Sequence, residues 1–197
     1  MKENCNTWMS LYKGGMLVDE DKLLMKKFQE GNENSFEELI IKYRANAVCF
    51  AQRYTLDKFI AEDITQESFA YLYVYKDKYD NKYSFKTYLF TIIRNKSIDY
   101  YRKIKREDLQ YNLCNSSELD TPEDIILRHE IKDLVINNIN KLKEDYKIAL
   151  YLIDYEEFSY KEAGSIMGKN LAQMKILIFR ARRKLKLLIE QEEYTIG

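Results

Sequence analysis

Apolar residues recur at three- and four-residue intervals along most of the 197-residue chain, and this spacing predicts helices. Phe36, Leu39, Ile40, Tyr43, Ala47, Phe50, Ala51 and Tyr54 fall on one face of the first, which a Ser35–Glu38 capping box opens. A second helix starts near Ile60 and runs toward Tyr75. Its end, Tyr71-Leu-Tyr-Val-Tyr, also suits a strand, because aromatic and β-branched residues alternate there. The helical period of the acidic segment before it decides for helix. Lys76 to Tyr83 reads as a polar loop with aromatics, and Ser84 caps a third helix that continues to about Arg106. Residues 107–120 have no period. Thr121 as N-cap with Pro122 at the first helical position then starts a new helix.

The C-terminal pattern is the most specific. Ser159 and Glu162 form a capping box, and Ala163, Ile166 and Met167 share the face of a short helix. Gly168 sits where a left-handed C-terminal cap is needed, a conformation glycine adopts without steric cost. Asn170 caps the next helix, with Gln173 reaching back. Along that helix Leu171, Met174, Ile178, Ala181 and Leu185 form a stripe toward a core. Lys169, Lys175, Arg180, Arg182, Arg183, Lys184 and Lys186 supply seven positive charges with no acid between them. Two helices around a three-residue turn, the second basic, make a helix-turn-helix. The turn and both caps together favour DNA binding over an ordinary solvated basic helix.

One proline and six glycines fit an all-α chain of two small helical domains joined by an acidic linker. The divisions are a loose leader over 1–18, a helical domain over 19–106, the linker over 107–120 and the helix-turn-helix domain over 121–197. Net charge is zero, but its distribution is uneven. Lys86 to Arg106 holds seven bases and one acid, whereas Glu107 to Asp124 holds six acids and no base. A neutral molecule so divided can meet DNA at two separate places.

Cys5, Cys49 and Cys114 are widely spaced and odd in number, and read as reduced thiols of a cytoplasmic protein. No apolar run approaches the ~20 residues of a membrane span, and residues 1–15 lack the order of a secretory signal. His129, the only histidine, reads as an exposed helix residue. The sequence holds no histidine cluster, cysteine pair, Gly-rich phosphate loop or nucleophile motif, so an enzyme reading is poor and no metal or cofactor is expected.

Asp63, Gln66 and Glu67 lie within one turn of each other beside Ile64 and Phe69. Carboxylates so grouped could bind a metal or act as an acid/base pair, but no third ligand lies nearby in sequence. A solvated helix face and a docking surface for a basic partner both stay open. At this point the order of motifs becomes informative. DITQESF, then SFKTYLFTIIRNKSIDYYRK, then LKEDYKIALYLIDYEEFSYKEAGSIMG and IFRARRKL resemble a bacterial RNA polymerase sigma factor of the extracytoplasmic-function (ECF) type. The resemblance covers roughly residues 22–106 and 121–190.

It implies a non-enzymatic factor whose partners are core RNA polymerase and promoter DNA, with an anti-sigma protein as a further candidate. By resemblance, Asp63, Ile64, Gln66, Glu67 and Phe69 bind core polymerase. Tyr83, Phe85, Lys86, Tyr88, Arg94, Asn95 and Arg102 belong to the segment that melts the proximal promoter element and captures an unpaired base. Aromatic and basic residues suit that task, since bases stack on rings and phosphates attract cations. Asn170, Gln173, Lys175, Phe179, Arg180 and Arg183 contact the distal element. The alternative is a DNA-binding regulator on a sigma-like scaffold that does not form holoenzyme. Three departures stand out. Ile176 and Leu177 replace a small polar residue and a base, Lys169 replaces an aliphatic residue, and Tyr88 replaces a tryptophan. The first pair puts distal specificity in question, because apolar side chains there can meet thymine methyls or a partner.

Overall fold

The computed structural model describes residues 20–55, 57–108 and 137–196. The leader 1–18, the connector beyond Asp108, the helix start at Thr121–Pro122 and His129 lie outside the described residues. All the longer elements described are helices: α1 (Glu20–Gln29), α2 (Glu33–Thr55), α3 (Lys58–Val74), α4 (Phe85–Asp108), α5 (Glu144–Leu150), α6 (Tyr160–Met167) and α7 (Leu171–Ile196). A single 3₁₀ turn, Lys76–Lys78, follows α3. The expected all-α class and the C-terminal helix-turn-helix are both present.

Local chemistry explains most of the helix starts. Asp57 caps α3 by accepting from the Phe59 and Ile60 amides, and Ser84 caps α4 by accepting from the Thr87 amide. The α2 start differs from expectation. Its first residue is Glu33 and Ser35 is buried inside the first turn, where its amide donates to the Asn32 side chain at 3.3 Å. Asn32 is therefore the cap: the tight turn at Gly31 (φ 103°) brings α2 back onto α1 three residues earlier than the capping-box pattern suggests. The ambiguous Tyr71–Tyr75 segment is helical to Val74.

α2 lies at the centre of the N-terminal unit, against α1, α3 and α4, while α5 and α6 both pack on α7. Aromatic rings meet at several points of the core. Phe28 stacks on Phe36 at 4.5 Å, and Phe50 stacks on Phe90 at 4.7 Å. Each fully buried ring of this kind contributes roughly 1.5–3 kcal/mol. Packing does not stop at the end of α4. Phe50 also stacks on Tyr151 and Phe90 meets Phe158 edge-on, so one apolar core runs from the N-terminal helices into the helix-turn-helix unit. No helix among the described residues is long and apolar enough to cross a membrane.

Candidate nucleic-acid interface

The helix-turn-helix is built as its caps dictate. The Ser159 hydroxyl accepts from the Glu162 amide, and Glu162 Oε2 accepts from the Ser159 amide at 3.1 Å. Gly168 closes α6 in the left-handed conformation, φ 66°. The chain then folds so tightly that a Cβ on Gly164 would lie 2.7 Å from the Lys169 carbonyl oxygen. Asn170 and Gln173 cap α7 reciprocally, each side-chain oxygen accepting from the other's amide. Both were expected DNA contacts, and their oxygens are already committed to the helix start.

Met174, Ile178 and Ala181 are buried, and Leu185 is packed against the core. Leu171, expected in this stripe, is instead exposed at the first position of α7. Leu177 is half-buried against the core while Ile176 faces outward. Lys175, Phe179, Arg180 and Arg183 are exposed. Three of the seven cations are ion-paired: Lys169 with Asp145 at 3.0 Å, Arg182 with Asp154, and Lys186 with Glu190 along α7 at 3.5 Å.

On the N-terminal unit, Tyr83, Asn95 and Arg102 are exposed. Tyr88 is half-buried beside Tyr79, and burial pushes its phenol up from the ordinary value. Arg94 is half-buried and reaches to within about 4 Å of the space beside Gly168. Phe85 requires correction: it is fully buried, its ring 5.5 Å from Tyr43 and 6.4 Å from Tyr79. The first residue of α4 points into the bundle, so its aromatic surface serves packing. Ile64 and Phe69 are likewise buried, beneath the exposed Asp63, Gln66 and Glu67. Both side chains are enclosed by the bundle, which makes them core residues. Glu67 pairs with Lys96 of α4 at 3.0 Å.

Lys86 has a partner that no sequence signal revealed. α5 ends in a π turn, Tyr151–Tyr155, closed by the Glu156 amide donating to the Tyr151 carbonyl. Glu157 then takes a left-handed φ of 59°. This widened end pushes Glu156 between α2 and α4. Its carboxylate accepts from Lys86 at 2.8 Å, from Asn46 at 3.0 and 3.1 Å, and from the Tyr151 hydroxyl at 2.9 Å. The Lys86 ammonium also donates to the Glu156 carbonyl and lies over the Phe158 ring.

A second carboxylate joins the same two units. Glu162 caps α6 with Oε2 and accepts from the Ser84 and Thr87 hydroxyls with Oε1, both at 3.2 Å. Burial raises its carboxyl, but the hydrogen bonds from Ser159, Thr87 and Ser84 outweigh burial and hold it below the ordinary value. The capping box identified Glu162 locally; its bonds to residues 75 and 78 positions earlier were invisible to sequence pattern.

Comparison with known proteins follows the same two units. Residues 39–107 match the Sigma-70 region 2 family and residues 132–185 match Sigma-70 region 4. The ECF RNA polymerase sigma factor SigM of Bacillus subtilis is 34% identical, over 78% of this chain and 94% of its own. The ECF RNA polymerase sigma-E factor of Haemophilus influenzae is 28% identical, over 86% of this chain and 95% of its own. Among solved structures, the sigma factor RpoE of Bartonella quintana, crystallised with the anti-sigma factor NepR, superposes with a TM-score of 0.64. It is 25% identical, and the match covers 79% of this chain and 96% of that one.

Proposed function

The chain belongs to the ECF RNA polymerase sigma factors, and from that premise we propose that it joins core RNA polymerase and directs promoter recognition and transcription initiation. The observation that carries this reading is the order of three exposed surfaces along one fold. First comes the acceptor patch of Asp63, Gln66 and Glu67 on α3, then Tyr83, Asn95 and Arg102 around α4, then the cationic face of α7. The first docks on a basic surface of core polymerase, with Ile64 and Phe69 holding it from below. The second handles melted proximal DNA, with Tyr88 and Arg94 as half-buried members. The third lies on duplex distal DNA, where Lys175, Arg180 and Arg183 meet phosphate or base edges and Asn170, Gln173 and Phe179 complete the contact.

Residues 19–106 and 121–197 are the two working domains and 107–120 their connector, a division supported by the matched segments 39–107 and 132–185. The factor performs no covalent step; bond formation belongs to the polymerase it joins, in the cytoplasm. An anti-sigma protein is a further partner, by likeness to RpoE of Bartonella quintana.

The test is transcription by purified core polymerase on fragmented genomic DNA, with and without this protein, reading transcript starts. New starts sharing a two-part upstream motif are expected. No new starts, with folded protein and no capture of core polymerase, would replace this reading with a regulator that acts without forming holoenzyme.

A further inference from the structure

We propose that Ile176 reads the 5-methyl group of a thymine in the distal promoter element, and so sets a specificity that hydrogen bonding from this helix does not supply. The inference rests on the reading above that α7 lies on duplex DNA.

At about 100° per residue, Ala172, Ile176, Phe179 and Arg183 fall within about 60° of one another on α7. They lie opposite Met174, Ile178 and Ala181, which are buried. Ile176 is 51% and Phe179 66% exposed, so the outermost line of the helix is apolar until Arg183. Lys175 and Arg180, both exposed, flank that line on either side.

A helix seated in the major groove meets base edges along its middle line and phosphates along its flanks. The flanks here are cationic, as a face seated between phosphate backbones requires. Near the helix start the middle line carries only Ala172 and Ile176, whose side chains cannot hydrogen-bond. Off to its side the Asn170 and Gln173 oxygens are held by the capping bonds, which leaves those two residues their NH2 donors alone. The base edges in the major groove present donors and acceptors, with one apolar exception, the thymine C5-methyl. An apolar side chain pressed onto a donor or acceptor leaves it unpaired, whereas against the methyl it removes two apolar surfaces from water. The neighbouring Leu177 takes no part, since it packs inward. Of two adjacent apolar substitutions in the recognition helix, the fold thus assigns only Ile176 to the groove.

The experiment uses the full chain bound to core RNA polymerase and a randomised duplex DNA library. The selected distal element is then resynthesised with deoxyuridine at each thymidine in turn, which removes the methyl and nothing else. The expected result is one position at which deoxyuridine weakens binding about fourfold, the effect of one buried methyl. Ile176→Ser should abolish that penalty while leaving the log–log salt slope unchanged, since no cation is lost. Deoxyuridine tolerated at every distal position, or an undiminished penalty in Ile176→Ser, overturns the inference and leaves the reading of α7 standing. Selection of a proximal element with no distal element at all overturns both.

Discussion

The Lys86 ammonium and the Glu156 carboxylate meet at 2.8 Å between the two helical units, with their side chains 24% and 1% exposed. A carboxylate so deeply placed needs its donors, and it has three: Lys86, Asn46 and Tyr151. Among the described residues, Lys86 is thus the one expected proximal-DNA residue that the C-terminal unit holds by a salt bridge, and its use on DNA requires the units to part at this contact.

Lys86→Met and Glu156→Gln, alone and together, measure that contact. A double-mutant cycle in urea should give a coupling of about 1.5–3 kcal/mol, the range for hydrogen bonds to charged groups. Simple additivity would mean that the ion pair contributes nothing to holding the units together.

Glu162 makes the same boundary sensitive to acid. Its folded carboxyl is held below the ordinary value of 4.5. Its contribution is therefore complete above that value and is lost as pH falls through the lower folded value. Urea midpoints followed from neutral pH to about 3.5 should fall more steeply for the parent chain than for Glu162→Gln. Parallel curves would remove Glu162 from the acid response.

Gly164→Ala places a methyl 2.7 Å from a backbone oxygen in the turn, where no flexible side chain can give way. A loss of about 1–3 kcal/mol is expected from such overpacking, measured by thermal unfolding of the full chain. Unchanged stability would show that α6 and α7 can move apart at no cost.

The cations of α7 should divide by their partners. On the proposed reading of α7, Lys175→Ala and Arg180→Ala should each lower the log–log salt slope of promoter binding by about one, the loss of one phosphate contact. Arg182→Ala should leave the slope alone and reduce stability, since Arg182 is engaged by Asp154. Equal slope changes for all three would mean that the Arg182–Asp154 pair opens on DNA.

Asp63→Lys reverses the charge of an exposed α3 residue that no core contact depends on. Holoenzyme formation should be lost while the unfolding free energy stays within about 0.5 kcal/mol of the parent's. Normal capture of core polymerase by the folded variant would remove the acceptor patch from the docking surface.

The features legible along the chain are those that close within a few residues. Helix faces, the Ser159–Glu162 box, the left-handed Gly168 and the Asn170–Gln173 cap all depend on partners three or four positions away, so spacing alone reveals them. The order of motifs carried the family for the same reason, being written along the chain. Tertiary structure decided which face of each helix was used up. Phe85, Ile64 and Phe69 look like contact residues in sequence and are consumed by packing; Ile176 and Leu177 look alike and are separated by one helical step. Glu156 was not legible in the same way: apart from Tyr151, five positions back, its partners Lys86 and Asn46 lie 70 and 110 positions away. Burial of a charge is a property of the assembled core, and only the packing of α2 and α4 against the end of α5 could select that carboxylate.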